Sequence, residues 1–332
     1  MQLVRVLFSK RVSISCLRVL ALMSLCALLS STITLYRTPK VFALQAKPPT
    51  DWSFYISSAS TSTAYNLGCN QGHFDAGHSP VINSEVVLDF GEQYYSDGSG
   101  GVLLLSGIQI SNAQVQAVTE AFARGYWICT GNDSTSTLYL AIGINNYGNA
   151  TSASGTTWGN NVAAAQAYNK SMGYTSQVVM FGANDIESWC PSNCVSPSAV
   201  ISWVNGFSSV SGGYKYFDFG SADGCPQYSS NNGGCNGAWN QYYYWYLSWG
   251  ATAALALPEI YYPAQAQQWA MISLYGAQYR SAPVYMQGPM DEYDLDNTTL
   301  TASQAWNDLW TDLNNNSATA QSLSFSVEIH NE

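Results

Sequence analysis

Short apolar runs alternate along this chain with longer segments whose apolar positions recur every three or four residues. The runs at 52–56, 85–91, 138–143, 178–187, 214–220, 253–262, 284–288 and 323–329 are rich in Val, Ile, Phe, Tyr and Leu and predict strands. Between them lie predicted helices. Ser111 opens one whose Val115, Val118, Phe122 and Tyr126 share a face. Others cover 158–172, 237–249, 265–276 and 301–313, and Pro197 is a good first-turn residue for one over 197–207. The stretch 57–83 reads as loop with a turn of helix, and the polar, Gly-rich 95–101 as a mobile connection.

Strands that alternate with helices predict an α/β fold with a parallel sheet covered by helices. Eight such units predict a closed (β/α)8 TIM-like barrel, a single domain over 47–332. A doubly wound open sheet is the alternative. The sequence contains neither the Gly-rich dinucleotide fingerprint after an early strand nor a P-loop.

The first 46 residues break the pattern. A basic region through Arg18 precedes the apolar run 19–29 and a Ser/Thr-rich tail, with small-residue cleavage options ending at Ala43 or Ala46. This predicts a signal peptide over 1–46 and a secreted protein. The alternative is an uncleaved N-terminal anchor, because the apolar run extended to Tyr36 is just long enough to span a membrane. Leu25 before Cys26 excludes a lipobox.

Of 332 residues only 10% are charged and 14% are aromatic, which excludes a disordered chain. The net charge of −10 is unevenly spread. Six of the eleven basic residues lie in 1–46, leaving five against 21 acidic side chains, or −16, in the remainder. Such a surface repels polyanions, so neither nucleic acid nor, after cleavage, a membrane is expected as partner. The expected working form is a monomer.

Six cysteines follow the signal: Cys69, Cys129, Cys190, Cys194, Cys225 and Cys235. An even count in an exported chain predicts disulfides. Proximity favours Cys190–Cys194 and Cys225–Cys235, leaving Cys69–Cys129 as the long-range bridge, among about 15 possible pairings. No metal or cofactor is expected. The cysteine spacings are not Cys-x-x-Cys, His73, Asp75 and His78 read as loop residues, and Asp291, Glu292, Asp294 and Asp296 lack an EF-hand loop. A serine hydrolase is disfavoured, since 220–224 places its serine one position early for a nucleophile elbow. The even cysteine count argues against a cysteine nucleophile.

Acids are what the predicted strand ends carry. In Gln177-Val-Val-Met-Phe-Gly-Ala-Asn-Asp-Ile-Glu187, period-two alternation puts Asp185 and Glu187 on one side with Phe181 and Ala183, and Val178, Met180 and Ile186 on the other. Asp89, followed by Gln93, ends an earlier strand; Asp218, Glu259 and Gln287 belong to later ones. Acids converging on one mouth suit glycoside hydrolysis, where one carboxyl protonates the leaving oxygen and another stabilises positive charge at the anomeric carbon. Trp189 and Tyr261, beside these acids, are expected to contact a sugar ring. The aromatics Trp239, Tyr243, Tyr246 and Trp249 fall at helical spacing and are expected to pack.

On Asp185-Ile186-Glu187, with Asp89 and Gln93, the chain resembles the glycoside-hydrolase-like barrels of secreted bacterial proteins, a superfamily that includes the family 25 lysozymes. The resemblance implies Glu187 as proton donor, Asp185 as electrostatic or neighbouring-group partner and Asp89 as a substrate-orienting acid. Gln93, Asp218, Glu259, Tyr261, Trp189 and Gln287 are the expected substrate-binding residues. A family 18 chitinase is disfavoured, since its motif needs Asp where the chain has Met180 and Ala183. The stretches LDFG, GYWICTG, GSADGCP and SWG resemble those of other exported proteins. The expected function is cleavage of a cell-wall or environmental polysaccharide. The alternative is a catalytically inactive barrel that binds glycans or the cell wall.

Overall fold

A computed structural model describes residues 45–96, 99–131, 135–145, 150–188, 195–210 and 212–332. The N-terminal signal or anchor, the Cys190–Cys194 pair and Trp189 lie outside the described residues. The chain runs β1 (Asp51–Tyr55), α1 (Thr61–Gly77), β2 (Ser84–Ser96), β3 (Ser99–Leu103), β4 (Gln109–Ser111), α2 (Asn112–Cys129), β5 (Leu138–Asn145) and α3 (Ser152–Met172). It continues through β6 (Val178–Asp185), α4 (Pro197–Ser208), β7 (Tyr216–Asp218), α5 (Gln241–Trp245), β8 (Ala254–Ala256), α6 (Pro263–Tyr279), β9 (Met290–Asp291), α7 (Ala302–Asn314) and β10 (Val327–Asn331).

Eight of the strands form a curled parallel sheet, a half-barrel, in the order β8-β7-β6-β5-β2-β1-β10-β9. Each neighbouring pair is parallel. Two isolated parallel bridges, Ala256 with Met286 and Glu259 with Met290, connect the segment after β8 to that around β9. The alternation of strand side chains splits the core in two. Val86, Leu88, Leu140, Ile142 and Met180 pack towards the helices, against Phe122, Trp158, Trp203, Trp269 and Trp306. Val87, Ala141, Ala183, Phe217, Leu257, Met290 and Val327 fill the other face. Each large side chain fully buried in this way contributes about 1.5–3 kcal/mol.

Helix starts follow the sequence closely. Ser111 with Gln114, and Thr301 with Gln304, form capping boxes, and Pro197 opens α4 after the Ser196 cap. Where α3 meets α4, two glycines replace side chains with backbone contact. A Cβ on Gly155 would lie 1.9 Å from the carbonyl oxygen of Trp203, and one on Gly206 1.9 Å from that of Ser152.

Three expectations are corrected. The stretch 57–83 holds the full helix α1, whose buried face is Ala64, Gly68, Gln71, Gly72 and Asp75; small and polar residues give no apolar stripe to detect. Asp75 in it accepts hydrogen bonds from Gln71, Ser84 and Tyr126. In the polar 95–101 region, Tyr95 and Ser96 of β2 pair antiparallel with Gly100 and Ser99 of β3. The helix expected over 237–249 is only α5, continued by a π turn at Tyr246–Gly250. Trp239 lies before it and packs against Tyr244 at 5.1 Å between ring centroids.

Disulfides join Cys69 to Cys129 and Cys225 to Cys235, as proximity predicted. The first locks α1 to the end of α2. Among the described residues no helix is long and apolar enough to cross a membrane.

Candidate functional site

The sheet face opposite the helices is apolar through its middle and acidic at the carboxyl ends of the strands. Along β6 the residues on this face are Phe181, Ala183 and Asp185, and Glu187 continues the register. On the segment after β8, Glu259 follows Leu257 at the same period. Asp185, Glu187 and Glu259 thereby meet, each with a carboxylate oxygen within 4.8 Å of the others.

Each of the three accepts from a neutral side chain, and Glu187 is also bonded to the Ser221 amide and the Glu259 carboxyl. Asn145 Nδ2 donates to Asp185 Oδ2 at 2.8 Å, Ser221 Oγ to Glu187 Oε1 at 2.6 Å, and the Tyr261 hydroxyl to Glu259 Oε1 at 2.8 Å. Asp185 is 8% exposed and Glu259 5%. Asp185 Oδ1 has no hydrogen-bond partner among the described residues. No lysine or arginine forms an ion pair with the cluster among the described residues.

Burial without countercharge favours the protonated forms. Desolvation, then repulsion from Glu187 and Asp89, holds Asp185 well above the usual carboxylate range. Desolvation and the charges of Asp185 and Glu187 do the same to Glu259. Glu187 is also raised by burial, against the opposing bond from Ser221. Burial raises Asp89 to about 6, opposed by the Gly91 amide, and raises Glu292 to about 7 with help from Asp296 and Glu187. Tyr55 is close enough to Glu259 and Asp89 for both to raise its hydroxyl further above normal, after burial. Chemically, carboxyls held above their ordinary range can release a proton to a basic oxygen. Its three carboxylates are also the oxygen ligands a hard divalent cation takes.

The structure brings Asp185, Glu187, Glu259 and Tyr261 together, with Asp89 on the same face near enough to act on Asp185. Gln93 and Gln287 stand apart, and Asp218 faces away although its charge still acts on Asp185. Asp218 falls between Phe217 and Phe219, both on the open face, so it turns towards the helices and accepts the Ser248 hydroxyl and the Gly220 amide. Its burial raises it to about 7. Gln93 donates to the Ser154 carbonyl at 3.2 Å and accepts from Trp203 Nε1 at 2.8 Å, tying β2 to α3 and α4. Gln287 lines a cavity at the amino-terminal end of the sheet.

Sequence reasoning missed Tyr55, Asn145, Ser221 and Glu292 as members of the cluster's surroundings. Asn145 had a detectable signal, since it closes β5 and pairs in register with Asp185. Cys69, His73 and Cys129 also cluster, but the two cysteines are joined to each other and offer no thiolate.

Neither a protein-family model nor a curated protein sequence matches this chain.

Proposed function

We propose that this is a secreted glycoside hydrolase acting on a cell-wall or environmental polysaccharide, with Glu187 as proton donor and Asp185 as its charge-stabilising partner. The observation that carries the proposal is the meeting of three buried carboxyls, from two separate strand ends, with oxygens within 4.8 Å of one another. Such a set loses its protons in steps that belong to the group as a whole. Between the first and last step it holds a protonated carboxyl beside an ionised one, the combination that glycosidic cleavage needs.

Glu187 is the least buried of the three and is the one placed to protonate a leaving oxygen. Asp185, deeper and bonded to Asn145, stabilises the positive charge that develops at the anomeric carbon as the bond breaks. Water then completes the hydrolysis and Glu187 recovers a proton from it. Glu259 and Tyr261 hold the sugar, and Asp89 orients it. The short carboxyl spacing fits the retaining course better than the wider gap of inverting enzymes.

Closure of the sheet into a (β/α)8 barrel belongs to the same proposal. It is supported by the bridges Ala256–Met286 and Glu259–Met290, which link the two ends of the strand order. Export is supported by the disulfides, which persist in oxidising compartments.

The test is release of reducing ends from peptidoglycan and neutral polysaccharides by the secreted protein, its Glu187→Gln variant, and the protein in EDTA. Release that survives EDTA and disappears in Glu187→Gln supports the proposal. Glycan binding without turnover by the unaltered protein overturns it in favour of a binding barrel. Turnover abolished by EDTA assigns the three carboxylates to a cation instead.

A further inference from the structure

The five basic residues beyond position 46 all lie at or towards the end of the sheet away from the carboxyl cluster. Lys47 precedes β1 and Lys215 precedes β7, while Lys170 is in the last turn of α3, Arg124 in the second half of α2 and Arg280 directly after α6. Helices that return between parallel strands run back to the strand starts, so these places share one end. Three of the five are bonded there: Lys47 to the Pro48 carbonyl, Thr50 and Ser326, Lys215 to the Thr252 carbonyl, and Arg280 to the Tyr275 hydroxyl. The opposite end gathers Asp89, Asp185, Glu187, Glu259 and Glu292, with no lysine or arginine ion-paired to any of them among the described residues.

That division disfavours a charged ligand of either sign. An anionic group at the carboxyl mouth would lose hydration with no cation to replace it, whether or not the acids hold their protons. A cation would need ionised acids, and burial favours their protonated forms. An uncharged ligand rich in hydroxyls meets neither objection, because each hydroxyl can accept one hydrogen bond while donating another.

Such a ligand needs a donor that the protein has not already committed. Asn145, Ser221 and Tyr261 each donate to one of the three clustered acids, and Gln265 Nε2 donates to Asp223. Tyr55 differs. It stands on β1 in register with Asp89 on β2, and its half-buried ring packs with the residues of the open face. Glu259, Asp89, Glu292 and Asp185, from four other segments, all act on its hydroxyl, which therefore lies among them. The hydroxyl has no hydrogen-bond partner among the described residues and is not sealed from solvent.

We infer that the carboxyl mouth binds an uncharged sugar and that Tyr55 is a specificity-determining residue there, donating its hydroxyl proton to a sugar oxygen while the carboxyls accept from the sugar's hydroxyls. The inference rests on the reading that this mouth takes a glycan, and not on the glycan being cleaved.

The experiment measures binding of the secreted protein to immobilised polymers by biolayer interferometry near neutral pH. Three pairs share a backbone and differ in charge: hydroxyethyl cellulose and carboxymethyl cellulose, glycol chitin and carboxymethyl chitin, carboxyl-reduced and native hyaluronan. Salt of about 1 M shortens the Debye length to about 3 Å, so repulsion from the acidic surface as a whole is screened and contact in the mouth decides. Expected is saturable binding of at least one uncharged polymer, with its acidic counterpart about tenfold or more weaker. Tyr55→Phe should weaken the uncharged polymer about fivefold without lowering Tm, since the hydroxyl has no partner in the chain to lose. Equal binding of an acidic counterpart overturns the inference, as does failure of all three uncharged polymers to bind. Unchanged binding in Tyr55→Phe also overturns it, and so does weakened binding accompanied by a lower Tm, which assigns the hydroxyl to the fold. Binding of this pattern without release of reducing ends supports the inference while removing the hydrolase reading, so the two failures are distinct.

Discussion

Ser221 donates its hydroxyl proton to Glu187 Oε1 at 2.6 Å. The bond favours the ionised form of Glu187 and so opposes the rise that burial causes. Ser221→Ala removes that opposition. The alkaline limb of a pH–rate profile, where the acid form is lost, is expected to move to higher pH, and Ser221→Thr should restore it. An unmoved limb in Ser221→Ala shows that the bond does not tune the acid.

Removing the acid itself should be costly. Glu187→Gln is expected to lower kcat on the order of a thousandfold with KM nearly unchanged. Asp185→Asn should cost a comparable factor. On a substrate of defined anomeric configuration, NMR of the first-formed product should show retention, given carboxyl oxygens within 4.8 Å. Initial formation of the inverted anomer rejects direct participation by the neighbouring carboxyl.

Stability should fall as pH rises. Asp89 goes from an ordinary 3.8 to about 6 on folding, and Asp218 from 3.8 to about 7. The folded chain therefore binds protons that the unfolded chain releases, and the slope of stability against pH is negative between 3.8 and about 7. The stabilising contribution is present in full below the unfolded value and disappears as pH climbs through the folded ones. Calorimetry should give a Tm at pH 8 lower than at pH 5, on the order of 5 °C. A Tm that rises over this interval contradicts the burial of these acids in neutral form.

The two disulfides should differ in worth. Cys69–Cys129 closes 60 residues and Cys225–Cys235 closes 10. By loop-closure entropy the first contributes about 4 kcal/mol and the second under about 3 kcal/mol. Denaturant titration of Cys69→Ser/Cys129→Ser against Cys225→Ser/Cys235→Ser checks the order.

Much of this fold was legible because strands buried on both faces give unbroken apolar runs, and capped helices announce their starts. Ser111, Thr301 and Pro197 each mark a helix the structure contains. Helix α1 was not legible, because Gly68, Gly72 and Ala64 bury backbone rather than side chains. At the site, Asp185 and Glu187 were readable from strand period alone. Their meeting with Glu259 was not, since it depends on how the sheet curls. Asp218 and Gln287 show the converse: both belong to strand-like runs, yet one faces the helices and the other the opposite end of the sheet. A one-residue difference in register decides which face a strand residue serves.

The crossing of α3 and α4 has a mechanical consequence. Because Gly155 and Gly206 bring carbonyl oxygens where a methyl group would otherwise stand, no rotamer change at those two positions can take up slack between the helices. Trp203, whose own carbonyl is one of those oxygens, also grips Gln93 on β2, four residues beyond Asp89. The helix pair thus works as a rigid gauge block behind the sheet, and a bulky residue at Gly155 should shift the acid end of β2 without touching any acid.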